Sequence, residues 1–440
     1  MTFFLYSVFG DGLVFAPLLI NEKAEVSTFI ENAEFKRLYD GIIPKYESLG
    51  MWMSKITKDD IVVFDSNSDG TVAVEKKLRA KGITNIIGGS EFAHKLEHDR
   101  VFGMKLLAEN GVNIPETYAF KNNAEGITFL KKNNGKYVYK PCGEGKASTQ
   151  TYVGTTSGDM VSFIQKQPNQ DYILQKFVEG GICELGVEMY FSKGNPLIAP
   201  SHTIELKKYG VGNTGPNTGC MSSVTWFDDE IGNPTTEQTW EHLFDVFKKE
   251  GYTGACDISG IVDKKGKFWA LEFTPRFGFS QELALYQLLK EKISTFWEYL
   301  AKGWAIEIER TPEYFGLCAR VGVHPYPVES TDETKEAFKA IIKANGIAGK
   351  PVVIKDHDNI DYNFMDIKTK DDGLVMAGVH AILVELATRD KDLAKAEKRV
   401  WDAFKDIQVG DTYTRKDMFT DAIEQMPKLK SVGFWGSSKL

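Results

Sequence analysis

The chain has 440 residues, 42% hydrophobic and 26% charged, with 53 basic and 61 acidic residues for a net charge of -8. That length allows two to four domains and a large core, and the charge balance argues against a broad nucleic-acid surface. The five cysteines, Cys142, Cys183, Cys220, Cys256 and Cys318, are scattered with no CxxC pair, so they read as reduced thiols of a cytoplasmic protein and not as a disulfide or zinc framework.

No run of about 18 apolar residues offers a membrane span. The apolar start lacks a basic region and is interrupted by Gly10-Asp11-Gly12, which argues against a signal peptide. Residues 1 to 95 alternate strand and helix. Phe3–Phe9 reads as a strand, and Gly10 and Gly12 after it either cradle a phosphate or simply make a tight turn. Pro17 is expected to distort the helix that follows. Asp60–Phe64 is a second strand, ending in Asp65-Ser-Asn-Ser-Asp-Gly70. A helix over Val72–Ala80 and a short strand over Asn85–Gly88 complete a βαβ pattern, whose loops after strand ends are ligand sites.

From Glu91 the chain reads as helical, and Arg100 on that stretch either reaches a phosphate or is solvated. The strand Lys136–Lys140 runs into a loop containing Gly143, Gly145 and Lys146. Such a loop can fold N–H groups over phosphates, although the Walker A spacing is not met. Tyr172–Val178 is a strand whose end can present backbone to a base, with Glu184 available to a ribose; a plain strand and turn fits equally. The stretch Lys207–Cys220 is so rich in Gly, Asn, Thr and Pro that an irregular loop dense in backbone donors is expected.

Gly254–Gln281 is the most informative stretch. Ala255–Val262 and Phe268–Phe273 read as two buried strands of a hairpin around Asp263-Lys-Lys-Gly266. Each carries one acid, Asp257 and Glu272. A buried carboxylate costs several kcal/mol, roughly, unless it is paired or metal-bound. Two oxygen ligands on adjacent strands suit Mg²⁺ carrying a nucleotide phosphate. Arg276, just beyond, adds a cation, and the set suggests phosphoryl transfer. Two acids paired with lysines on an ordinary hairpin is the plainer alternative.

From about Thr311 the pattern is that of a separate α+β unit. It has strands at Leu317–Val323 and Leu374–Ala387 and a helix over Asp332–Ala344. An amphipathic helix over Lys391–Ile407 presents Leu393, Ala396, Val400, Ala403, Phe404 and Ile407 on one face. Ser431–Leu440 reads as a loose tail.

Several of these motifs together resemble one family. Asn213-Thr-Gly-Pro-Asn-Thr-Gly-Cys-Met221 and Leu271-Glu-Phe-Thr-Pro-Arg-Phe-Gly278 resemble the acceptor loop and metal strand of the ATP-grasp ligases, specifically the phosphoribosylamine–glycine ligase family. The helix start at Leu96-Glu97, the strands Val138–Lys140 and Leu174–Val178, and Tyr413–Asp417 follow in the family's order. The resemblance implies an α/β and α+β chain with the ATP-grasp fold. It would comprise an N-terminal pre-ATP-grasp domain (1–95), an ATP-grasp domain (96–310) with a lid over about 113–180, a C-terminal α+β domain (311–430) and a tail (431–440).

By that resemblance Lys140 and Arg100 hold the phosphates of ATP under a lid loop of Gly143, Gly145 and Lys146. Gln175, Lys176 and Val178 meet adenine, and Glu184 meets the ribose. Asp257, Glu272 and Thr274 bind Mg²⁺ or Mn²⁺, and Arg276 with Lys140 acts on the transferred phosphoryl group. Asn213, Thr214, Gly215, Pro216, Asn217, Thr218 and Gly219, with Gly10, Gly12, Lys207 and Gly278, contact substrate.

The implied reaction joins glycine to phosphoribosylamine through an acyl phosphate, in purine biosynthesis. The partners would be small molecules, with no nucleic acid or membrane, and the chain a monomer or small homo-oligomer. Four departures from the family stand out. Thr274 replaces an asparagine, and Leu13-Val-Phe follows Gly12 where an arginine-glutamate-histidine run is usual. Asp65-Ser-Asn-Ser replaces a glycine-proline-glutamate run, and His380 stands for an arginine. They keep two alternatives open: a divergent paralogue joining another amino acid to another amine, and a catalytically silent nucleotide-binding protein.

Overall fold

A computed structural model describes residues 1–143, 150–227, 233–303, 311, 313–328, 335–371 and 373–434. The chain opens with strand β1 (Thr2–Ser7), a 3-10 turn at Asp11–Val14, helix α1 (Phe15–Asn21), β2 (Glu25–Ile30), α2 (Leu49–Lys55), β3 (Ile61–Phe64), α3 (Asp69–Ala80) and β4 (Ile86–Ile87). The four strands form a parallel sheet in the order β2-β1-β3-β4. Phe3 to Tyr6 and Ile61 to Phe64 are buried on both faces, as continuous apolar runs in a parallel sheet require. β2 has no counterpart in the sequence reading, because its run is short and polar at its start. Pro17 falls in the first turn of α1, where no helical hydrogen bond is lost, so the expected distortion is absent.

Helices α4 (Glu91–His98) and α5 (Arg100–Glu109) meet at Asp99, whose carboxylate accepts from Phe102 N–H and caps α5. A second sheet follows, built from β5 (Thr117–Phe120), β6 (Tyr137–Pro141), β7 (Tyr152–Val153) and β8 (Tyr172–Lys176). It carries α6 (Asn123–Lys132) and α7 (Ser157–Ile164), and its strand order is β5-β8-β6-β7. Its own core of Leu130, Tyr137, Tyr139, Met160, Ile164, Tyr172 and Leu174 is separate from the main one.

The remaining strands are β9 (Gly181–Ser192), β10 (Asn195–Pro196), β11 (Ser201–Gly210), β12 (Thr214–Phe227), β13 (Gly254–Asp263), β14 (Phe268–Thr274), β15 (Phe315–Val323), β16 (Asp361–Phe364), β17 (Ile367–Lys370), β18 (Gly373–Met376), β19 (Ile382–Asp390) and β20 (Thr412–Tyr413). Between and after them lie α8 (Pro234–Glu237), α9 (Phe244–Glu250), α10 (Phe279–Tyr286), α11 (Ile293–Lys302), α12 (Lys335–Ala344), α13 (Leu393–Lys405) and α14 (Thr420–Ser431). Among the described residues ten strands make one sheet along β14-β13-β9-β11-β12-β15-β19-β16, with β10 on β9 and β20 on β15. β15 pairs with β12, Ser222 opposite Ala319, so the segment from 315 continues the central sheet.

The structure corrects three expectations. The polar stretch Lys207–Cys220 is no irregular loop; it is the bulged tip of the β11–β12 hairpin, with Lys208 opposite Asn217 and Gly210 opposite Thr214. The strand expected over Leu374–Ala387 is broken at residues 377–381, where the backbone N–H groups of Val379, His380 and Ala381 donate to buried Asp366. The C-terminal end stays packed through Phe434, which is 2% exposed and joins the main core; residues 435–440 lie outside the described residues. No helix among the described residues is long and apolar enough to cross a membrane.

Candidate functional site

The β13–β14 hairpin sets one half of the site. Ser259 lies opposite Glu272 and Asp257 opposite Thr274, so strand alternation brings all four to one face. On the other side β9 places Glu188 opposite Asp257 and Gly186 opposite Ser259. Gly186 is small for a reason: a Cβ there would sit 2.7 Å from Asp257 Oδ1. Lys207 reaches in from β11, with its Nζ 3.2 Å from Glu184 and 3.5 Å from Glu205.

The second sheet and α5 supply the other half. Lys140 Nζ donates to Leu271 O at 3.2 Å and lies 3.9 Å from Glu272. Arg100 donates through Nη1 to Glu272 Oε2 and through Nε to Pro141 O at 3.0 Å, tying the two sheets together. Burial opposes the charge on Glu272, but Lys140, Arg100 and Lys207 outweigh it and hold the carboxyl well below the ordinary range. Burial likewise draws the Lys140 ammonium down, with Glu272 opposing. The Glu184 carboxylate raises Lys207 against its burial.

Asp257 is neutralised less, with Lys207 the one cation acting on it among the described residues. Burial pushes its carboxyl up to about 7. Ser259 donates to Oδ2 at 2.7 Å, while Oδ1 is buried without a hydrogen-bond partner. Beside it is a cavity of about 20 Å³ lined by Glu184, Gly186, Thr203, Glu205, Asp257, Ser259 and Gln281, enough for one water or ion. An orphaned buried carboxylate oxygen on the face that carries Glu272 fits a hard divalent cation. Among the described residues no three His, Cys, Asp or Glu groups could hold a metal alone. Mg²⁺ is usually held by one or two carboxylates plus phosphate oxygens and water.

The other residues singled out from the sequence fall elsewhere. Arg276 is not in this cluster; its Nε donates to Glu97 Oε1 at 2.8 Å, and its charge is supported by Glu97, Asp65 and Asp11. Gln175 is buried against α5, its Nε2 donating to Thr117 Oγ1 at 3.3 Å and meeting Met104 Sδ at 3.5 Å. Lys176 is exposed and pairs with Glu116, and Val178 is half-buried just beyond β8. Gly143 donates its N–H to His98 O; Gly145 and Lys146 lie outside the described residues.

Gly278 is the N-cap of α10, its carbonyl accepting from Glu282 N–H at 2.7 Å. Gly10 donates its N–H to Ser7 Oγ at 2.7 Å and Gly12 to Asp65 Oδ2 at 2.9 Å. The tip of the β11–β12 hairpin, with Thr214, Gly215 and Pro216 exposed, is anchored from the C-terminal end. Fully buried Arg415 donates to Lys208 O and Asn213 Oδ1, both at 2.9 Å. Gly212 N–H donates to Asp417, and Asn213 Nδ2 to Asp421. Asn217 and Thr218 sit at the base of that tip, where Thr218 Oγ1 donates to Lys207 O, and Gly219 faces Arg320.

Sequence reasoning passed over Glu188, Glu205 and Glu282, and named Glu97 only as part of a helix start. The signal was present for Glu188, an acid inside the apolar run from Leu185 to Phe191. It is fully buried with Glu282, and Tyr190 O–H lies between them, 2.9 Å from Glu188 and 2.7 Å from Glu282.

No family model matches the sequence. The phosphoribosylamine–glycine ligase of Salmonella typhimurium is 24% identical over 387 residues, covering 84% of this chain and 85% of that protein. The same enzyme of Escherichia coli K12 is 23% identical over 385 residues, with the same coverage. Among solved structures, phosphoribosylamine–glycine ligase from Thermotoga maritima superposes with a TM-score of 0.70 at 17% identity, covering 95% of this chain and all of that one. The chain has the ATP-grasp fold. Biotin carboxylase from Campylobacter jejuni gives 0.65 at 13% identity over 98% of this chain and 96% of that one. N5-carboxyaminoimidazole ribonucleotide synthetase from Thermotoga maritima gives 0.59 at 13% identity over 94% and 100%. The ATP-grasp architecture expected from the sequence is therefore present, and the resemblance to phosphoribosylamine–glycine ligases runs along most of the chain.

Proposed function

We propose that this chain is an ATP-dependent carboxylate–amine ligase. The observation that carries the reading is the convergence of Arg100, Lys140 and Lys207 on Glu272, beside the orphaned oxygen of Asp257. Cations held by packing and aimed at one point stabilise a phosphoryl group in transfer without reorganising. Asp257 and Glu272 would hold Mg²⁺, with Thr274 on the same face. When bound, Mg²⁺ neutralises charge on the phosphate oxygens.

In the reaction a carboxylate oxygen attacks the γ-phosphorus and the bond to the bridging oxygen of ADP breaks. The acyl phosphate formed is then attacked at carbon by an amine nitrogen. Phosphate leaves with the former carboxylate oxygen, and the amine gives up a proton as the amide forms. Arg100 and Lys140 orient the phosphates through these steps.

The names of the relatives suggest glycine and phosphoribosylamine as substrates. A specific observation favours a paralogue with another amine: the N–H groups of Gly10 and Gly12 are already taken by Ser7 and Asp65. Glu272→Ala is expected to lower ADP release at least about 10³-fold while far-UV circular dichroism stays unchanged. Near wild-type ADP release from that variant would overturn the site assignment.

A further inference from the structure

The carboxyl ends of β1 and β3 lie side by side, with their following segments diverging to α1 and α3. Crevices of this kind in parallel sheets take ligands, and phosphates there are held by glycine-loop amides and a helix N-terminus. Here the two glycine amides and the Thr71 N–H at the start of α3 are occupied by the chain itself. Gly10 N–H donates to Ser7 Oγ, Ser7 Oγ donates to Asp65 Oδ2, and Gly12 N–H donates to the same oxygen. The packing is tight: a Cβ on Gly12 would lie 2.4 Å from Asp65 Cβ. At the start of α3, Ser68 caps Thr71 N–H, and the Glu31 carboxylate, held by Tyr6 O–H at 2.7 Å, lies against Gly70.

The charges agree with that occupancy. Asp11, Glu31 and Asp65 gather at this end of the sheet. The Arg276 guanidinium beside them is paired with Glu97, which also accepts from Asn67 Nδ2 at 2.8 Å. His380 Nε2 stands 3.9 Å from Asp11. Asp65 is 7% exposed and Asn67 2%, yet Asp65 Oδ1 and Asn67 Oδ1 have no hydrogen-bond partner. Two buried acceptor oxygens left open ask for a donor. Asn67 Nδ2 also donates to Pro275 O, so the crevice adjoins the end of β14.

We propose that the acceptor held at this crevice is a cationic amine that carries no phosphate group, its N–H donors meeting the open oxygens of Asp65 and Asn67. The proposal rests on the ligase reading for the acceptor's role, and on the crevice alone for its chemistry. A phosphate monoester would place about two negative charges against three carboxylates, with the Gly10 and Gly12 amides already used.

The test uses the full chain and matched pairs: ethanolamine against phosphoethanolamine, and glucosamine against glucosamine 6-phosphate, with phosphoribosylamine as a further probe. Binding is read by calorimetry with Mg²⁺ and a non-hydrolysable ATP analogue, and ADP release is read separately with Mg²⁺-ATP and a panel of amino acids. The unphosphorylated member of each pair should bind at least about tenfold more tightly, and Asp11→Lys, at a partly exposed position, should shrink or reverse that preference. A phosphorylated member that binds as tightly or more tightly, or two members that both fail to bind, overturns the proposal. ADP release driven by phosphoribosylamine alone among the amines would also overturn it while leaving the ligase reading intact. The binding preference without ADP release under any pair would instead remove the ligase reading and keep the preference.

Discussion

Glu272 and Asp65 are two acids at the ends of strands, each beside a place where a ligand could sit, and they are held in opposite ways. Around Glu272 stand Lys140, Arg100 and Lys207, which keep it ionised against burial. Around Asp65 stand Asp11, the Ser7 and Ser66 hydroxyls and a backbone N–H, and burial pushes its carboxyl up to about 6. Phosphate affinity depends on cations and open amides. One region gathers cations; the other has its Gly10 and Gly12 amides filled and gathers acids. On the proposed reading, the contrast separates the groups that would handle ATP from those that would choose the acceptor.

The comparison breaks most sharply at Lys140. Its ammonium is buried and directed at Glu272, so Lys140→Met should lower ADP release by about 10²–10³-fold with little change in the KM for the acceptor amine. An equal rise in the acceptor KM would merge the two regions into one.

A smaller effect sharpens the other side. An acid whose folded-state pKa is raised binds its proton more tightly in the fold, so the fold loses stability as pH rises from the ordinary value of 3.8 through about 6. Asp65→Asn removes that loss. It should stabilise the chain by up to about 3 kcal/mol at pH 8 and by only about 0.5 kcal/mol near pH 4, where the folded carboxyl holds its proton and the unfolded one is about half ionised. Urea unfolding at the two pH values measures the difference. Equal gains at both would mean that ionising Asp65 costs the fold nothing, against the burial that sets its proton affinity.

What the sequence made legible follows the same division. The β13–β14 hairpin was readable because Asp257 and Glu272 interrupt apolar runs of clear length, and an acid inside such a run has few structural explanations. Lys140 was readable as a strand-end lysine before glycines. The convergence on Glu272 was not, since Arg100, Lys140 and Lys207 come from three elements far apart in the chain. Arg276 illustrates the converse. Proximity in sequence to Glu272 suggested a shared site, but the chain turns at Pro275 and carries the guanidinium to Glu97.

The tip of the β11–β12 hairpin misled for a different reason. Its Gly, Asn and Pro residues have the composition of a loop, yet Gly212, Asn213 and Gly215 all take positive φ within a bulged ladder, where such residues are the ones that fit. Arg415, which anchors that tip, sits some 200 positions later in the chain, and nothing local to either segment points to the other.

Coupling of ATP cleavage to two further substrates is what distinguishes a ligase from a nucleotide-binding protein on the same fold. The direct measurement is ADP release by the full chain with Mg²⁺-ATP, over a panel of amino acids, with each amine present or omitted. Release is predicted to need one carboxylate and one amine together and to yield their amide. Nucleotide binding with no ADP formed under any pair, or ATP hydrolysis at the same rate with and without both substrates, would contradict the ligase reading.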